Sequence, residues 1–299
     1  MTTLPRLRAV PTSAMGALLI CCMSCTAGDA AEGRTSGPAT ETHADGAPAP
    51  ESAPADGVDR LRAKVLEVLP HDPQAFTQGL EMAGDTLYEG TGLAGRSSVR
   101  AGPPGSRPTA RVDMPAPLFG EGITVLGRTL WQLTWRNRIA VERDATTLEE
   151  VRRVPYPDEG WGVCHQRSRN RLVTSDGSSR LTFRHPKTLA KTGDIGVTEN
   201  GRPVAKLNEL ECVGDAVYAN VLFTERIVRI DPATGAVKAS IDATGLLREN
   251  ERVNGSVLNG VAAVPGANQF LITGKFWPKM FRVVFSPATS SPGRGPEEE

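Results

Sequence analysis

The chain has 299 residues, and its 34 basic and 34 acidic side chains leave it formally neutral. It has no basic patch or tail, so it lacks the electrostatic footprint that nucleic acid or an anionic membrane surface would recognise. Its 31 glycines, scarce aromatics and lack of helical periodicity after residue 60 point to a turn-rich all-β body.

At the N-terminus, Arg6 and Arg8 precede the apolar run AMGALLICCMSC. That run is too short to span a bilayer as a helix, so residues 1–25 read as an export signal. Cys21, Cys22 and Cys25 cluster at its end. Cys25, preceded by Ser24, is the position suited to a lipid anchor, which would be the chain's only attachment to a membrane. Cys22 stands where such signals usually carry Leu, so simple secretion is the alternative. Residues 26–59 are rich in Ala, Gly, Pro, Glu, Ser and Thr and read as a disordered tether, with a second disordered tail at 288–299. The expected location is therefore periplasmic or extracellular. Cys164 and Cys212 remain in the body. Export permits a disulfide between them, but spacing alone does not establish one, and two buried thiols fit equally.

The body begins with a lone strand, RAKVLEVLP, at residues 62–70. Five repeats follow: AFTQGLEMAGDTLYEGTG from Ala75, FGEGITVLGRTLWQLTW from Phe119, EGWGVCHQRSRNRLVTSDG from Glu159, LNELECVGDAVYANVLF from Leu207 and VLNGVAAVPGANQFLITGKF from Val257. Each holds two short strands around a polar or glycine turn. A third strand follows each repeat (SSVRA, RIAVE, LTFRH, RIVRID, FRVVF), and a fourth follows all but the last. DPATG at Asp231 is a turn between the third and fourth strands of its repeat. Four strands at a period of about 40–50 residues mark a propeller blade. The spare N-terminal strand matches the deficit in the last repeat. Residues 60–287 are therefore expected to form an all-β, five-bladed β-propeller closed by the N-terminal strand, with its sheet edges hidden. A two-sheet sandwich is the rival architecture.

In a propeller the first strand of each blade lines the central channel. The residue before the glycine of each repeat is Gln78, Glu121, Trp161 and Asn259, with either Asn208 or Glu209 in the fourth. A second column, at the ends of the second strands, holds Gly92, Trp135, Gly177, Leu222 and Lys275. Glu89, three residues before Gly92, is expected deeper in the same channel. The bland reading is a water-filled channel. A carboxylate, a lysine and two indoles converging at one mouth instead have the composition of a small-ligand pocket. His71 in HDP and Asp176 in SDGSS read first as turn residues.

The motifs HDPQAFTQGL, LYEGTG, FGEGIT, EGWG, TSDGSS, LNELE, YANV, LNGVA and TGKFWPKMF occur in this order from His71 to Phe281. On these the chain resembles the glutamine cyclotransferases of the plant and bacterial type. The resemblance implies a five-bladed propeller that cyclises the N-terminal Gln of a peptide or protein to pyroglutamate and releases ammonia. It further implies that Phe76, Gln78, Phe119, Trp135 and Trp161 form the substrate pocket, that Glu121 is the acid/base, and that Lys275 and Asn208 complete the catalytic set. Glu89 is added to the pocket from its place in the strand. The sequence departs from the family pattern at Leu222 in YANVLF, where Trp is usual, at Gly90 in LYEGTG for Ser, and at Cys212 in ELEC for an aromatic.

The chemistry suits these residue types. The attacking α-amine has a reference pKa of about 7.7–8.0, so a useful fraction is neutral near pH 8. Holding the folded-back Gln supplies much of the rate, and one carboxyl can carry the proton from amine to leaving nitrogen. Lys275 or an indole N–H can stabilise the oxyanion, while Asn208 and Gln78 orient the substrate. No cofactor or metal is expected: His71, His165 and His185 show no ligand spacing. A monomer with no nucleic-acid partner is expected. Two rival readings remain. One is a non-catalytic peptide or small-ligand-binding propeller, favoured by Leu222. The other is a metal-dependent, lactonase-like hydrolase recruiting Glu121, Glu209, Asn208 and Asn259, opposed by the charge of Lys275 at the same mouth.

Overall fold

A computed structural model describes residues 57–288. The expected export signal with Cys25, almost all of the tether and the tail from residue 289 lie outside the described residues. Among the described residues there are strands and two short 3-10 turns but no α-helix.

Strand β1 (Asp59–Pro70) opens the body, and a four-stranded meander follows: β2 (Thr77–Ala83), β3 (Thr86–Thr91), β4 (Ser98–Gly102) and β5 (Ala110–Asp113). The second meander is β6 (Gly120–Leu126), β7 (Thr129–Thr134), β8 (Ile139–Asp144) and β9 (Glu150–Pro155). The third is β10 (Val163–Gln166), β11 (Arg171–Thr174), β12 (Arg180–Arg184) and β13 (Lys191–Gly196). A small hairpin of β14 (Thr198–Glu199) and β15 (Arg202–Pro203), which the repeat pattern did not anticipate, precedes β16 (Leu207–Val213), β17 (Ala216–Val221), β18 (Arg226–Ile230) and β19 (Val237–Asp242). The last strands are β20 (Val257–Ala263), β21 (Phe270–Lys275) and β22 (Lys279–Pro287). Three of the leading hairpins turn on two residues whose first is glycine at positive φ: Gly84 at 60°, Gly127 at 61° and Gly214 at 57°. A tight hairpin needs that left-handed conformation, and glycine adopts it without steric cost.

The N-terminal strand makes up the deficit of the last repeat. β1 pairs antiparallel with β22, from Leu61↔Pro287 to Pro70↔Lys279. Its first residues, Asp59 to Arg62, also pair in parallel with Ala239 to Asp242 of β19. The result is one eight-stranded sheet in the order β16-β17-β18-β19-β1-β22-β21-β20, beside three four-stranded sheets. β1 thus covers two edges that would otherwise be open to pairing with another chain.

The cores lie between successive groups of strands. Tyr88, Val99 and Ala101 meet Ile123, Val125 and Leu130, and Trp131, Leu133 and Tyr156 meet Val163 and Leu172. Val173, Leu181 and Phe183 pack on Leu207, Leu210 and Val228, while Ile227 and Ile241 pack on Val261 and Ile272. Leu80, Met82 and Leu87 close the circuit against Ala262, Leu271 and Met280. The leading strands β2, β6, β10, β16 and β20 are neighbours in that order, and β20 lies beside β2. The arrangement is all-β and propeller-like. A disulfide joins Cys164 of β10 to Cys212 of β16 across one of these cores, with Cα atoms 5.4 Å apart. That resolves the choice the spacing left open.

The leading strands are not laddered to one another, so side chains satisfy several of their backbone groups. The Glu209 carboxylate accepts from Leu80 N at 3.2 Å and Val261 N at 2.8 Å, linking β16 to both β2 and β20. Glu81 accepts from Val125 N at 3.0 Å, Glu211 from Ala263 N at 3.2 Å, and the Asn220 side-chain oxygen from Gly260 N at 3.0 Å. Burial pushes the carboxyl of Glu81 up to about 7 and that of Glu209 up to about 8, in spite of their backbone donors.

Glu209→Ala is expected to leave two buried N–H groups without partners and to cost about 2–5 kcal/mol, read from the shift in urea midpoint. An unchanged midpoint would show that these strands hold together without it. Replacing both Cys164 and Cys212 by Ser is expected to cost up to about 4 kcal/mol on the loop-entropy argument for a sequence separation of 48.

Candidate active site

The polar residues of the leading strands sit where the hairpin register slips. In the first hairpin Thr77↔Thr91 is followed by Gly79↔Gly90, so Gln78 is the extra residue. The second slips between Gly120 and Ile123, around Glu121. The fourth slips between Leu207 and Leu210, and the fifth between Leu258 and Val261, around Asn259. A bulge of this kind re-aims a side chain out of the alternating pattern. It also decides between Asn208 and Glu209. Asn208 follows the last paired residue, as Gln78, Glu121 and Asn259 do, whereas Glu209 stands in the place of the glycines. Gly79 and Gly122 are required by close approach. A Cβ on Gly79 would lie 2.5 Å from Ile123 N, and one on Gly122 would strike the Trp161 carbonyl oxygen and lie 2.9 Å from Gly162 Cα.

Around these residues lies a row of half-buried aromatic rings. Phe76 packs 5.1 Å from Phe276 and 6.1 Å from Phe119, and Phe119 packs 5.5 Å from Trp135, all between ring centroids. Backbone bonds at the hairpin mouths fix their starting points: Gly92 N to Phe76 O at 2.8 Å, Trp135 N to Phe119 O at 3.1 Å and Phe276 N to Ala75 O at 2.7 Å. Gly92 leaves the space that the Phe119 ring fills, and Gly177 lies against the ring of Trp161. The indole N–H groups of Trp135 and Trp161 both donate to Glu159 Oε2, at 3.0 and 3.4 Å. The oxyanion duty offered to an indole N–H by the sequence is therefore not what these rings present.

Glu121 is buried and accepts from Gln78 Nε2 at 2.9 Å. Asn259 in turn donates to Gln78 Oε1 at 3.3 Å. Burial holds the Glu121 carboxyl well above its ordinary range; the charge of Lys275 opposes this and that of Glu159 adds to it. Burial draws the Lys275 ammonium down, against the charge of Glu121, and its Nζ lies 4.6 Å from the centroid of the Phe76 ring. Asn208 is buried next to Gly162, its backbone carbonyl accepting from Ser175 Oγ at 2.6 Å. An acid and an amine, each shifted by burial toward its neutral form, are the residue types that general acid–base transfer uses.

Glu89 is not brought into this group. It shares the face of β3 with Leu87, which packs toward β20–β22. There its carboxylate takes Thr77 Oγ1 at 2.7 Å, His71 Nε2 at 3.1 Å and Arg100 Nε at 2.8 Å. Its acceptors are spent inside the fold. His71 also holds the Trp277 carbonyl through Nδ1 at 2.7 Å, so it is an anchor between segments rather than a simple turn residue. Asp176 accepts from Ser178 N at 3.0 Å, as a turn residue does. Leu222, at the end of the fourth hairpin, is buried, while the following Phe223 is 70% exposed. Two members of the group escaped the reading of the sequence, Glu159 and Phe276. Glu159 opens the EGWG motif and Phe276 follows Lys275, so motif membership was the available signal. Among the described residues no three His, Cys, Asp or Glu side chains are grouped as metal ligands.

The model of a protein family described as glutamine cyclotransferase matches residues 39–285. A glutaminyl-peptide cyclotransferase of Arabidopsis thaliana is 37% identical over 246 residues, which are 79% of this chain and 75% of the relative. A crystal structure of the glutaminyl cyclase of Myxococcus xanthus is similar at a TM-score of 0.73 with 34% identity, covering 78% of this chain and 100% of that one.

Glu89→Gln is expected to destabilise the protein by about 3–5 kcal/mol at pH 7, because Arg100 and His71 lose a buried counter-charge. His71 and Arg100 hold the Glu89 carboxyl down to about 2 against burial, from an ordinary value of 4.5. Its stabilising contribution is therefore present above pH 4.5 and lost as pH falls through about 2. The gap in melting temperature between wild type and variant should close over that acidic window. A gap that is constant with pH would show that the carboxylate's charge is not what matters.

Proposed function

The chain belongs to the glutamine cyclotransferase family, and we propose that it converts the N-terminal Gln of peptides or proteins to pyroglutamate with release of ammonia. The observation that carries this is Glu121, a buried carboxyl with raised proton affinity, hydrogen-bonded to Gln78, whose side chain lies with the Phe119 ring against Gly92.

The reaction joins the substrate's α-amino nitrogen to its own side-chain amide carbon. Phe76, Phe119, Trp135 and Trp161 hold the folded-back Gln, so that attack is effectively unimolecular. Ionised Glu121 accepts the proton released by the attacking amine. It passes that proton to the amide nitrogen as the C–N bond breaks, so ammonia leaves and the carboxylate is regenerated. A proton affinity raised toward that of the α-amine suits a group that must both take and give the proton. Lys275 stabilises the oxyanion, the two indole N–H groups being engaged by Glu159. Asn208 and Gln78 orient amine and amide through directed hydrogen bonds. Leu222 makes one wall aliphatic, leaving room for varied residues after the Gln.

The same reading extends to the fold and its location. We count five blades, with the eight-stranded sheet as two blades joined through β1. The cyclic order of the five leading strands and the five cores between them support that count. Export, with or without a lipid on Cys25, is supported by the Cys164–Cys212 disulfide, a bond that persists in oxidising compartments.

Glu121→Gln is expected to lower kcat by about 10²–10⁴-fold with the fold intact. The assay is ammonia release and the matching mass loss on a Gln-initiated peptide. Wild-type turnover in this variant would remove Glu121 from the proton transfer. A folded wild-type protein that binds the peptide but releases no ammonia would instead be a binding protein.

A further inference from the structure

Glu159 lies in the loop between β9 and β10, two residues before Trp161, with its side chain 39% exposed. One of its oxygens accepts from both indoles, Trp135 Nε1 at 3.0 Å and Trp161 Nε1 at 3.4 Å. The other accepts from Arg136 Nε at 3.0 Å, and the Arg136 guanidinium lies 4.1 Å from the centroid of the Trp135 ring. The two tryptophans come from different segments, Trp135 from the end of β7 and Trp161 from the approach to β10. A shared acceptor couples the rings, and Arg136 clamps the outer one. Charge-assisted bonds of this kind are stronger and more directional than neutral ones.

We propose that Glu159 is a positioning residue of the cyclisation, its carboxylate fixing the indoles of Trp135 and Trp161 as walls of the substrate pocket. The proposal rests on the cyclotransferase reading for its kinetic part. Glu159 also has an electrostatic consequence. Its negative charge, secondary to burial, raises the proton affinity of Glu121, while Lys275 acts in the opposite sense. The charged groups facing this corner are Lys275 from β21, Glu159 from the β9–β10 loop and Arg136 from the loop after β7. The neighbouring Asp158 is paired with Arg184. Glu159 therefore holds the rings and disfavours ionised Glu121 before the substrate amine arrives.

The test compares wild type, Glu159→Ala and Glu159→Gln as full chains. Steady-state kinetics on a Gln-initiated peptide are measured across pH, and acrylamide quenching of tryptophan fluorescence is measured without substrate. Trp131 and Trp277 are buried, so a change in quenching reports on Trp135 and Trp161. Glu159→Ala is expected to raise KM about tenfold and to increase quenching. Glu159→Gln keeps an acceptor oxygen, so KM should stay within about threefold of wild type. Without the negative charge, however, its acidic limb of kcat/KM should move to lower pH. The substrate amine is the same throughout, so a displaced limb belongs to the enzyme. Wild-type KM, quenching and pH limb in both variants would overturn the proposal. A fall in kcat with those three unchanged would overturn it too. If Glu159→Ala does not fold, Glu159→Asp, which keeps the charge but shortens the reach to the two indoles, decides through KM and quenching: wild-type values of both would overturn the proposal. If wild type releases no ammonia, the cyclotransferase reading fails, and quenching still decides whether Glu159 positions the rings.

Discussion

The backbone of the leading strands poses the central constraint. Each is laddered on one side to the second strand of its own sheet, and on the other it meets another leading strand without a ladder. Buried N–H groups there must still find acceptors. Carboxylates and amides supply them: Glu209 reaches Leu80 and Val261, Glu81 reaches Val125, Glu211 reaches Ala263 and Asn220 reaches Gly260. Backbone to backbone, Gly122 N reaches Trp161 O at 2.7 Å. Approach this close explains the glycines at 79 and 122, where a side chain would strike the next strand.

The same crowding builds the candidate site. Each register slip inserts one residue at the mouth of a leading hairpin, and that residue is Gln78, Glu121, Asn208 or Asn259. Strand alternation alone would send such side chains into the cores between sheets. The bulge takes them out of that alternation, and Gln78 bridges Glu121 and Asn259. Stability and site geometry thus share one structural device, seated on rigid strands rather than on loops.

Four glutamates illustrate how surroundings divide one side chain among several tasks. Glu89 has two cationic partners, is held down to about 2 and works as a structural anion. Glu209 has only backbone donors and is pushed up to about 8 by burial. Glu121 has an amide partner, and burial outweighs the opposing lysine charge to raise its proton affinity. Glu159 remains half exposed, with its oxygens on two indoles and a guanidinium. Residue type alone separates none of these.

The strands, their grouping in fours and the service of the N-terminal strand to the last repeat were legible in the sequence, because alternation and turn glycines act over a few residues. The candidate columns holding Gln78, Glu121, Trp161, Asn259, Trp135 and Lys275 were drawn by counting along those strands. Other features were decided only when distant segments met. Glu89 follows the same alternation, but it turned to a sheet face where His71 and Arg100 were waiting. Cys164 and Cys212 became partners because β10 and β16 pack side by side. Asn208 rather than Glu209 joined the column because a one-residue slip depends on how β16 pairs with β17. Glu159 acquired its importance from two indoles, one of them 24 residues away. Local pattern encodes which way a chain turns, but a buried polar group's partner is set by through-space contact, which the tertiary structure alone supplies.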